Sequence, residues 1–304
     1  MIRSLIIQIN SKCNINCSYC YSKNKFNYNK NRLDYSICKI LKKFDIKDAT
    51  ITGGEPLLDY KFLVKIIKKL KRRGVRITLI TNGLLLDRKK MIKLKEFGVL
   101  LRISIDGLEK NEKKPSKPLI GLVKNNHKYL KYAAKVISKK NLINSYKDFI
   151  GLVHLGFRDI DVIPQMYTYW SKKEIKIMVI NIKKIIKYCN KNKIKINLDS
   201  IGSSNRRYYN CEKIRVLPDG NISLCNALNC TKKTKFVTDI ERINEFKKNV
   251  IDYALKNYYK KKWFKEEYLN SFCLVDTFYD DMINKKRFRV IRSNIDLFSK
   301  LRKL

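Results

Sequence analysis

The sequence predicts an α/β fold: a partial (β/α)6 barrel followed by a small carboxy-terminal domain made of a β-hairpin and helices. Short apolar strands alternate with amphipathic helices over the first two-thirds of the 304-residue chain, and this alternation stops near residue 200. Strands alternating with helices form a parallel sheet with right-handed crossovers. Six such units are too few to close an eight-fold barrel, so we expect an open one. We place the two domains at residues 1–200 and 201–304.

The strands of the barrel are predicted from short apolar runs bounded by turn residues. They are Arg3–Ile9, Ala49–Thr52, Val75–Thr81, Val99–Ile105, Ala134–Ser138 and Ile160–Ile163. In the carboxy-terminal region, Ile214–Leu217 and Asn221–Leu224 flank the turn Pro218-Asp219-Gly220, which predicts a hairpin.

Helix boundaries are marked by capping residues. Asp59 precedes an apolar helical face that stops before Gly74. Asp87 begins the next helix, and Ser171 opens a capping box for a long helix that ends near Asn192.

Three cysteines follow the first predicted strand with the spacing C-x3-C-x2-C: Cys13, Cys17 and Cys20. Three thiolates in one loop can hold three irons of a four-iron cluster, which leaves one iron open for a small molecule. The alternative is a structural zinc site, which needs four ligands. The two histidines, His127 and His154, are remote in sequence, so the zinc interpretation is poor.

Polar, glycine-containing motifs follow the next three strands, where parallel barrels carry their chemistry. They are Gly53-Gly54-Glu55-Pro56, Thr81-Asn82-Gly83 and Ser104-Ile105-Asp106-Gly107. Each motif alone is also consistent with an ordinary turn. Their alignment with the cysteine loop favours a shared site.

The cysteine loop, with Tyr19 before its third cysteine, resembles the signature of the radical S-adenosylmethionine superfamily. The three strand-end motifs are also similar to those of this family. The resemblance implies a [4Fe-4S] cluster on the three cysteines that binds S-adenosylmethionine and cleaves it reductively. It further implies a 5′-deoxyadenosyl radical that abstracts hydrogen from a substrate.

The resemblance also implies which residues contact the S-adenosylmethionine. Gly53 and Gly54 would admit the methionine amine, and Tyr19 would pack near adenine. Ser104 and Asp106 would bond the ribose or the methionine end. The complete predicted set is Tyr19, Gly53, Gly54, Glu55, Pro56, Asn82, Ser104 and Asp106. The family's glycine-rich motif on the fifth strand is not visible, and Ser138–Asn141 stands in its place.

Four cysteines in the last third of the chain are similar in spacing to the SPASM and Twitch domains, which hold auxiliary four-iron clusters. They are Cys211, Cys225, Cys230 and Cys273. Their number favours one Twitch-like auxiliary cluster rather than two. Cys273 lies in an apolar stretch, so a buried free cysteine is its alternative interpretation.

The formal net charge of +41 is extreme, and lysine far exceeds arginine. We interpret it as compositional drift rather than a nucleic-acid site, which would concentrate arginine and aromatic residues on one face. Such a surface would attract an acidic electron donor such as flavodoxin or ferredoxin. No apolar run is long enough to span a membrane, and nine cysteines without an export signal favour the cytoplasm.

The sequence therefore predicts a radical S-adenosylmethionine oxidoreductase or maturase that acts on a peptide or protein. The chain begins directly with the first strand, so we expect no amino-terminal leader-peptide domain. Alternatives are a small-molecule dehydrogenase or cofactor-biosynthesis enzyme, an RNA-modifying enzyme, and a non-catalytic iron–sulfur electron carrier.

Overall fold

The computed structural model describes residues 2–20, 27–108, 111–165, 168–198, 213–223, 297 and 300–301. Within them, nine strands form one sheet in the order β7-β6-β5-β4-β3-β2-β1-β8-β9. The strands are β1 Ser4–Gln8, β2 Asp48–Thr52, β3 Arg76–Thr81, β4 Val99–Ser104, β5 Tyr132–Ile137, β6 Asp159–Pro164, β7 Lys195–Asn197, β8 Lys213–Val216 and β9 Ile222–Ser223.

The strand order confirms the open barrel. Each of β2 to β7 pairs in parallel with its predecessor in the chain, and β8 pairs in parallel with β1. Only β9 runs antiparallel in this sheet, beside β8. Parallel strands bring their carboxyl ends to one edge, so the segments that follow β1 to β4 share one end of the sheet.

Six α-helices connect the strands in the described part of the chain. They are α1 Lys30–Lys43, α2 Tyr60–Lys71, α3 Arg88–Glu96, α4 Lys117–Asn125, α5 Ser145–Leu155 and α6 Lys172–Asn192. A short 3-10 turn, Pro56–Asp59, precedes α2.

The predicted helix boundaries are confirmed. The Asp59 and Asp87 side chains accept hydrogen bonds from the first-turn amides of α2 and α3. Ser171 and Glu174 form the complete capping box of α6, which ends at Asn192. Such caps satisfy amides that have no partner inside the helix.

Alternation along each strand places apolar side chains under the helices. On β4, Val99, Leu101 and Ile103 are buried, whereas the intervening residues are half-buried on the inner face. The core formed beneath the helices continues across the sheet. The inner face is therefore the surface that is available for a site.

Two elements of the sheet extend beyond the predicted barrel. Strand β7 is only three residues long and follows a left-handed Lys193, so it lacks the apolar run that marks a strand in sequence. The predicted hairpin forms, but β8 adds directly to β1, with Ser4 opposite Lys213 and Ile7 opposite Val216. This hairpin is part of the barrel sheet.

Candidate functional site

The cysteine loop leaves the carboxyl end of β1 and turns back on itself. The Cys20 amide donates to the Cys17 carbonyl at 3.2 Å. The Cys17 side chain is buried, Cys20 is half-buried and Cys13 is exposed. One short loop therefore presents three thiols at the site end of the sheet.

The thiols influence one another electrostatically. Burial is the largest cause that raises the pKa of Cys13, and Glu55 and Cys20 raise it further. The pKa of Cys17 is likewise raised, chiefly by burial, while Lys113 opposes the shift. Among the residues that the structure describes, no three histidine, cysteine, aspartate or glutamate side chains already converge as a metal site. Three thiols in one loop are nevertheless the ligand type and number that fit an iron–sulfur cluster with one open iron.

Gly53 and Gly54 lie against the backbone that leads into the cysteine loop. The Gly54 amide donates to the Asn10 carbonyl at 2.9 Å, and the Glu55 amide donates to the Lys12 carbonyl at 2.7 Å. A Cβ on Gly54 would lie 1.8 Å from the Lys12 oxygen, and one on Gly53, whose φ is +154°, would lie 2.7 Å from the Asn10 oxygen. The two glycines are required for the approach of these two segments, in addition to the predicted contact with a methionine amine.

The Glu55 side chain is buried, and both of its carboxylate oxygens accept hydrogen bonds from protein groups. Its carboxylate accepts hydrogen bonds from the Leu57 amide, the Thr81 hydroxyl at 2.7 Å and the Asn82 amide at 2.8 Å. Burial raises the pKa of Glu55, and these three hydrogen bonds oppose the shift. Glu55 therefore joins the ends of β2 and β3, and Pro56 begins the 3-10 turn beside it.

Asn82 reaches from the end of β3 to the cysteine loop. Its amide nitrogen donates to Asn14 Oδ1 at 2.8 Å and lies 3.8 Å from the Cys13 sulfur. Asn82, a predicted site residue, therefore lies beside Cys13. Its backbone is held by Glu55, so the motifs after β1, β2 and β3 form one connected unit.

Asp106 and Ser104 lie at the end of β4, beside Tyr19 of the cysteine loop. Asp106 is completely buried, and its carboxylate accepts hydrogen bonds from the Tyr19 hydroxyl and from the Val136 amide. Lys113 donates to the Ser104 hydroxyl at 2.9 Å, and its ammonium lies 5.0 Å from the Tyr19 ring centroid. Burial and Asp106 raise the pKa of Tyr19, so its phenol stays a donor.

A buried lysine on β5 hydrogen-bonds the backbone of Asp106. Lys135 is fully buried on β5 and donates to the Asp106 carbonyl, with the Asp148 carboxylate 3.5 Å away. Burial lowers the pKa of Lys135, and Asp148 and Asp106 oppose the shift. This support was not predicted. The only sequence signal is a lysine inside an otherwise apolar strand.

The Asn141 side chain bonds the backbone at the end of β5, in the segment Ser138–Asn141 that replaces the expected glycine-rich motif. Asn141 accepts from the Ser138 amide at 2.8 Å and donates to the Val136 carbonyl at 3.0 Å. Both residues are buried. Ser138–Asn141 therefore completes the backbone hydrogen bonding of this strand end.

An ion pair lies on the inner face of the sheet. Ser104 and Asp161 are the register partners of Ala134 on its two sides, so all three share that face. Arg102 on β4 pairs with Asp161 on β6 across the intervening strand β5. Their side chains are 19% and 17% exposed. In the described part of the chain, Arg102 Nε and Asp161 Oδ1 have no hydrogen-bond partner. Asp159, the other carboxylate on this strand, pairs with Lys195 at 3.1 Å.

The remaining cysteines divide into two groups. Cys189 is buried in α6, and Cys38 accepts a hydrogen bond from Lys69 at 2.9 Å. The predicted auxiliary-cluster ligands lie outside the described residues: Cys211, Cys225, Cys230 and Cys273. None of the helices in the described ranges is long and apolar enough to cross a membrane.

Sequence relatives cover only part of the chain. It is 34% identical over 121 residues to the uncharacterized protein MJ0907 of Methanocaldococcus jannaschii, which is 36% of this chain and 41% of that protein. It is 38% identical over 117 residues to a probable GTP 3′,8-cyclase of Methanococcus aeolicus, or 36% of this chain and 38% of that protein. The chain therefore spans about two-fifths of the length of these relatives.

Solved structures share the fold over a larger range. Native anSMEcpe with bound AdoMet and Cp18Cys peptide is similar with a TM-score of 0.72 at 19% identity, covering 99% of this chain and 96% of that one. Streptococcus suis SuiB bound to the precursor peptide SuiA is similar with a TM-score of 0.61 at 16% identity, covering 80% of this chain and 64% of that one.

The family model described as the Radical SAM superfamily matches residues 7–163. The match includes the cysteine loop and every strand-end motif described above. This family implies a [4Fe-4S] cluster and S-adenosylmethionine as cofactors. The chain belongs to the Radical SAM superfamily.

Proposed function

We propose that this protein uses Cys13, Cys17 and Cys20 to hold a [4Fe-4S] cluster that binds S-adenosylmethionine, and that it modifies a peptide or protein. The observation that carries the proposal is the connected unit at the strand ends, in which Glu55 and Asn82 lead to the first cysteine. When bound, the cluster and S-adenosylmethionine supply a one-electron cleavage that starts hydrogen abstraction from the substrate.

The residues of the chain hold and enclose these cofactors. Asn82 contacts the cysteine loop at Asn14, Tyr19 of the same loop bonds Asp106 at the end of β4, and Ser104 lies on the inner face of the sheet. We assign the ribose and methionine contacts to this rim. The Arg102–Asp161 pair lies deeper on the same face as Ser104, where a substrate would rest.

A peptide substrate is supported by fold and by chemistry. The two structural neighbours described above are complexes with peptides, and one of them matches this chain over 99% of its length. A peptide amide offers one donor and one acceptor. Arg102 Nε and Asp161 Oδ1 are a buried donor and a buried acceptor without partners among the described residues, and they would complement an amide if the pair opens on substrate binding.

A nucleotide substrate is the second candidate. The named sequence relatives include several proteins described as probable GTP 3′,8-cyclase, with 35–38% identity over their matched segments. Those segments cover less than two-fifths of this chain. This candidate belongs to the same cofactor chemistry with a different substrate and reaction.

We also propose a Twitch-like auxiliary cluster on Cys211, Cys225, Cys230 and Cys273. Cysteine ligands in these positions would give the chain a second four-iron centre, able to accept an electron or to bind substrate. An acidic flavodoxin or ferredoxin is proposed as the electron donor, on the basis of the +41 charge.

Anaerobic reconstitution tests the cofactor assignment. We expect about eight irons per chain, four for each cluster. Changing the three amino-terminal cysteines to alanine should abolish 5′-deoxyadenosine formation and leave roughly half of the iron. Wild-type protein that holds only four irons would refute the auxiliary cluster. Failure of reduced protein to cleave S-adenosylmethionine would refute the main assignment.

The substrate class is tested separately with the same reconstituted protein. A library of short peptides and GTP are each incubated with S-adenosylmethionine and dithionite, and products are identified by mass spectrometry. Modified peptides with intact GTP support the first candidate. Consumption of GTP with unmodified peptides supports the second.

A further inference from the structure

The two residues between Cys17 and Cys20 are both held by the segment that follows β4. The Ser18 amide and hydroxyl donate to the two carboxylate oxygens of Glu112, at 2.5 and 2.7 Å. The Tyr19 hydroxyl donates to Asp106. These contacts join residues about ninety positions apart, so they depend on the folded barrel.

Glu112 connects three of the segments at the site end of the sheet. Beyond its two bonds to Ser18, it pairs with Lys140, in the segment after β5, at 2.6 Å. The next residue, Lys113, donates to Ser104 and faces the Tyr19 ring. Glu112 is thus bound to the cysteine loop directly and to the end of β5 through Lys140.

The position of this carboxylate has two physical consequences for a cluster held by the loop. First, a loop that is already fixed loses less conformational freedom when its thiolates bind metal. Second, Glu112 accepts the hydrogen bond of the Ser18 amide, which then cannot donate to a thiolate, and its carboxylate, paired with Lys140, lies next to the cysteine loop. Hydrogen bonds and net charge around a cluster both set its reduction potential, and a nearby negative charge lowers it.

We propose that Glu112 is a positioning residue that clamps the Cys17–Cys20 segment and keeps the reduction potential of the bound cluster low. A low potential is what the reduction of a sulfonium requires. The potential effect rests on the proposed cluster assignment. The clamp itself is a property of the folded chain and is measurable without metal.

The clamp is tested first on the metal-free protein. Wild type, Glu112→Ala and Glu112→Gln are treated with iodoacetamide, and labelling of Cys17 and Cys20 is followed by mass spectrometry, with Cys189 as the internal reference. Glu112→Ala should label Cys17 at least severalfold faster. Glu112→Gln should retain protection, because its amide oxygen accepts from the Ser18 amide and its NH2 group donates to the hydroxyl.

The cluster is tested next by iron content, by EPR-monitored redox titration of the signal that changes on adding S-adenosylmethionine, and by cleavage of S-adenosylmethionine without substrate. Partners that orient metal ligands typically contribute 10- to 100-fold to metal affinity or activity. We expect a loss of that size in Glu112→Ala. In Glu112→Gln, iron content should be normal while the midpoint potential is more positive, because the negative charge and the Lys140 ion pair are lost while the bonds to Ser18 are kept.

Glu96→Ala is the matched control. Glu96 pairs with Lys93 at 2.9 Å on α3, so this variant loses a carboxylate and an ion pair far from the loop. Equal labelling of Cys17 in Glu112→Ala, Glu96→Ala and wild type would overturn the clamp. An unchanged potential in Glu112→Gln would overturn the electrostatic part. If wild type takes up no cluster, the proposed function fails, and the labelling result still decides the clamp.

Discussion

Polar side chains have different hydrogen-bond partners at the carboxyl ends of β1 to β3 and on the inner face of β4 to β6. At the ends of β1 to β3, Glu55 accepts three hydrogen bonds and the two glycines are packed against backbone. On the inner face, Arg102 and Asp161 pair with each other and each keeps a buried atom without a partner among the described residues. Asn10 Oδ1, after β1, also has no partner among the described residues. The two regions therefore differ in the kind of group left unpartnered, which is an amide oxygen in the first and the two charged groups of an ion pair in the second.

This difference indicates a division of labour. A cofactor that is the same in every turnover is best held by groups whose positions are fixed by neighbours, as at Glu55. Recognition of a substrate needs groups that exchange partners when it arrives, and we assign that role to the Arg102–Asp161 pair because each member has a buried atom without a partner among the described residues. Substitutions in the first region should therefore damage folding and cofactor binding together, and those in the second should damage substrate use.

Gly54→Ala should have the largest effect on stability. The new Cβ would overlap the Lys12 carbonyl, so the backbone leading into the cysteine loop must move, at a cost of about 3 kcal/mol or more. Denaturant unfolding measures the loss, and iron uptake should fall with it. Gly121→Ala is the control: it lies inside α4 with open space around it, and alanine should stabilise that helix by about 0.5–1 kcal/mol. A neutral Gly54→Ala would show that the first region is less fixed than described.

Glu55→Gln should cost about 1–3 kcal/mol. A glutamine supplies only one acceptor oxygen, so its NH2 group would face either the Asn82 amide or the donors from Leu57 and Thr81. Burial raises the pKa of Glu55 in the folded protein. Its ionisation therefore opposes folding as pH rises through that raised value, and wild type should gain stability on this account as pH falls through it. Glu55→Gln should lack this part of the pH profile, and an identical profile would contradict the assignment.

Arg102→Met should cost about 1–3 kcal/mol, because it leaves the largely buried Asp161 carboxylate without its cation. The double variant Arg102→Met/Asp161→Leu should recover most of that loss, since neither charge remains. Both variants should still cleave S-adenosylmethionine without substrate at close to the wild-type rate and fail to modify substrate. Loss of the uncoupled cleavage would place the pair in the cofactor region instead.

Asp34→Asn provides the smallest effect and a reference outside both regions. Asp34 on α1 pairs with Lys69 at 2.5 Å and with Lys65 at 3.0 Å. Burial raises the pKa of Asp34, but the two lysines outweigh this effect and hold the pKa below 3.8. The lowered pKa stabilises the fold above pH 3.8, and this contribution is lost as pH falls through the folded value. We expect less than about 1 kcal/mol at neutral pH. Unfolding at pH 7 and pH 3 should show a larger difference between wild type and variant at the higher pH.

Much of the barrel could be predicted because its signals are local. Apolar runs located β1 to β6, and capping residues such as Asp59 and Ser171 located helix starts to within a residue. Strand β7 was missed because three half-exposed or exposed residues carry no periodic signal. The hairpin was predicted, but its attachment to β1 was not, because strand pairing between distant segments leaves no mark in either sequence.

The amino-acid sequence by itself determined which three cysteines are proposed as cluster ligands and at which end of the sheet they lie. Cysteine spacing and the polar motifs after three strands are local features, and parallel strands necessarily bring their ends together. Only the tertiary structure decided which groups complete the site. Glu112, Lys135 and the Arg102–Asp161 pair act across 13 to 94 positions of chain, and such contacts exist only once the sheet has set the distances between their strands.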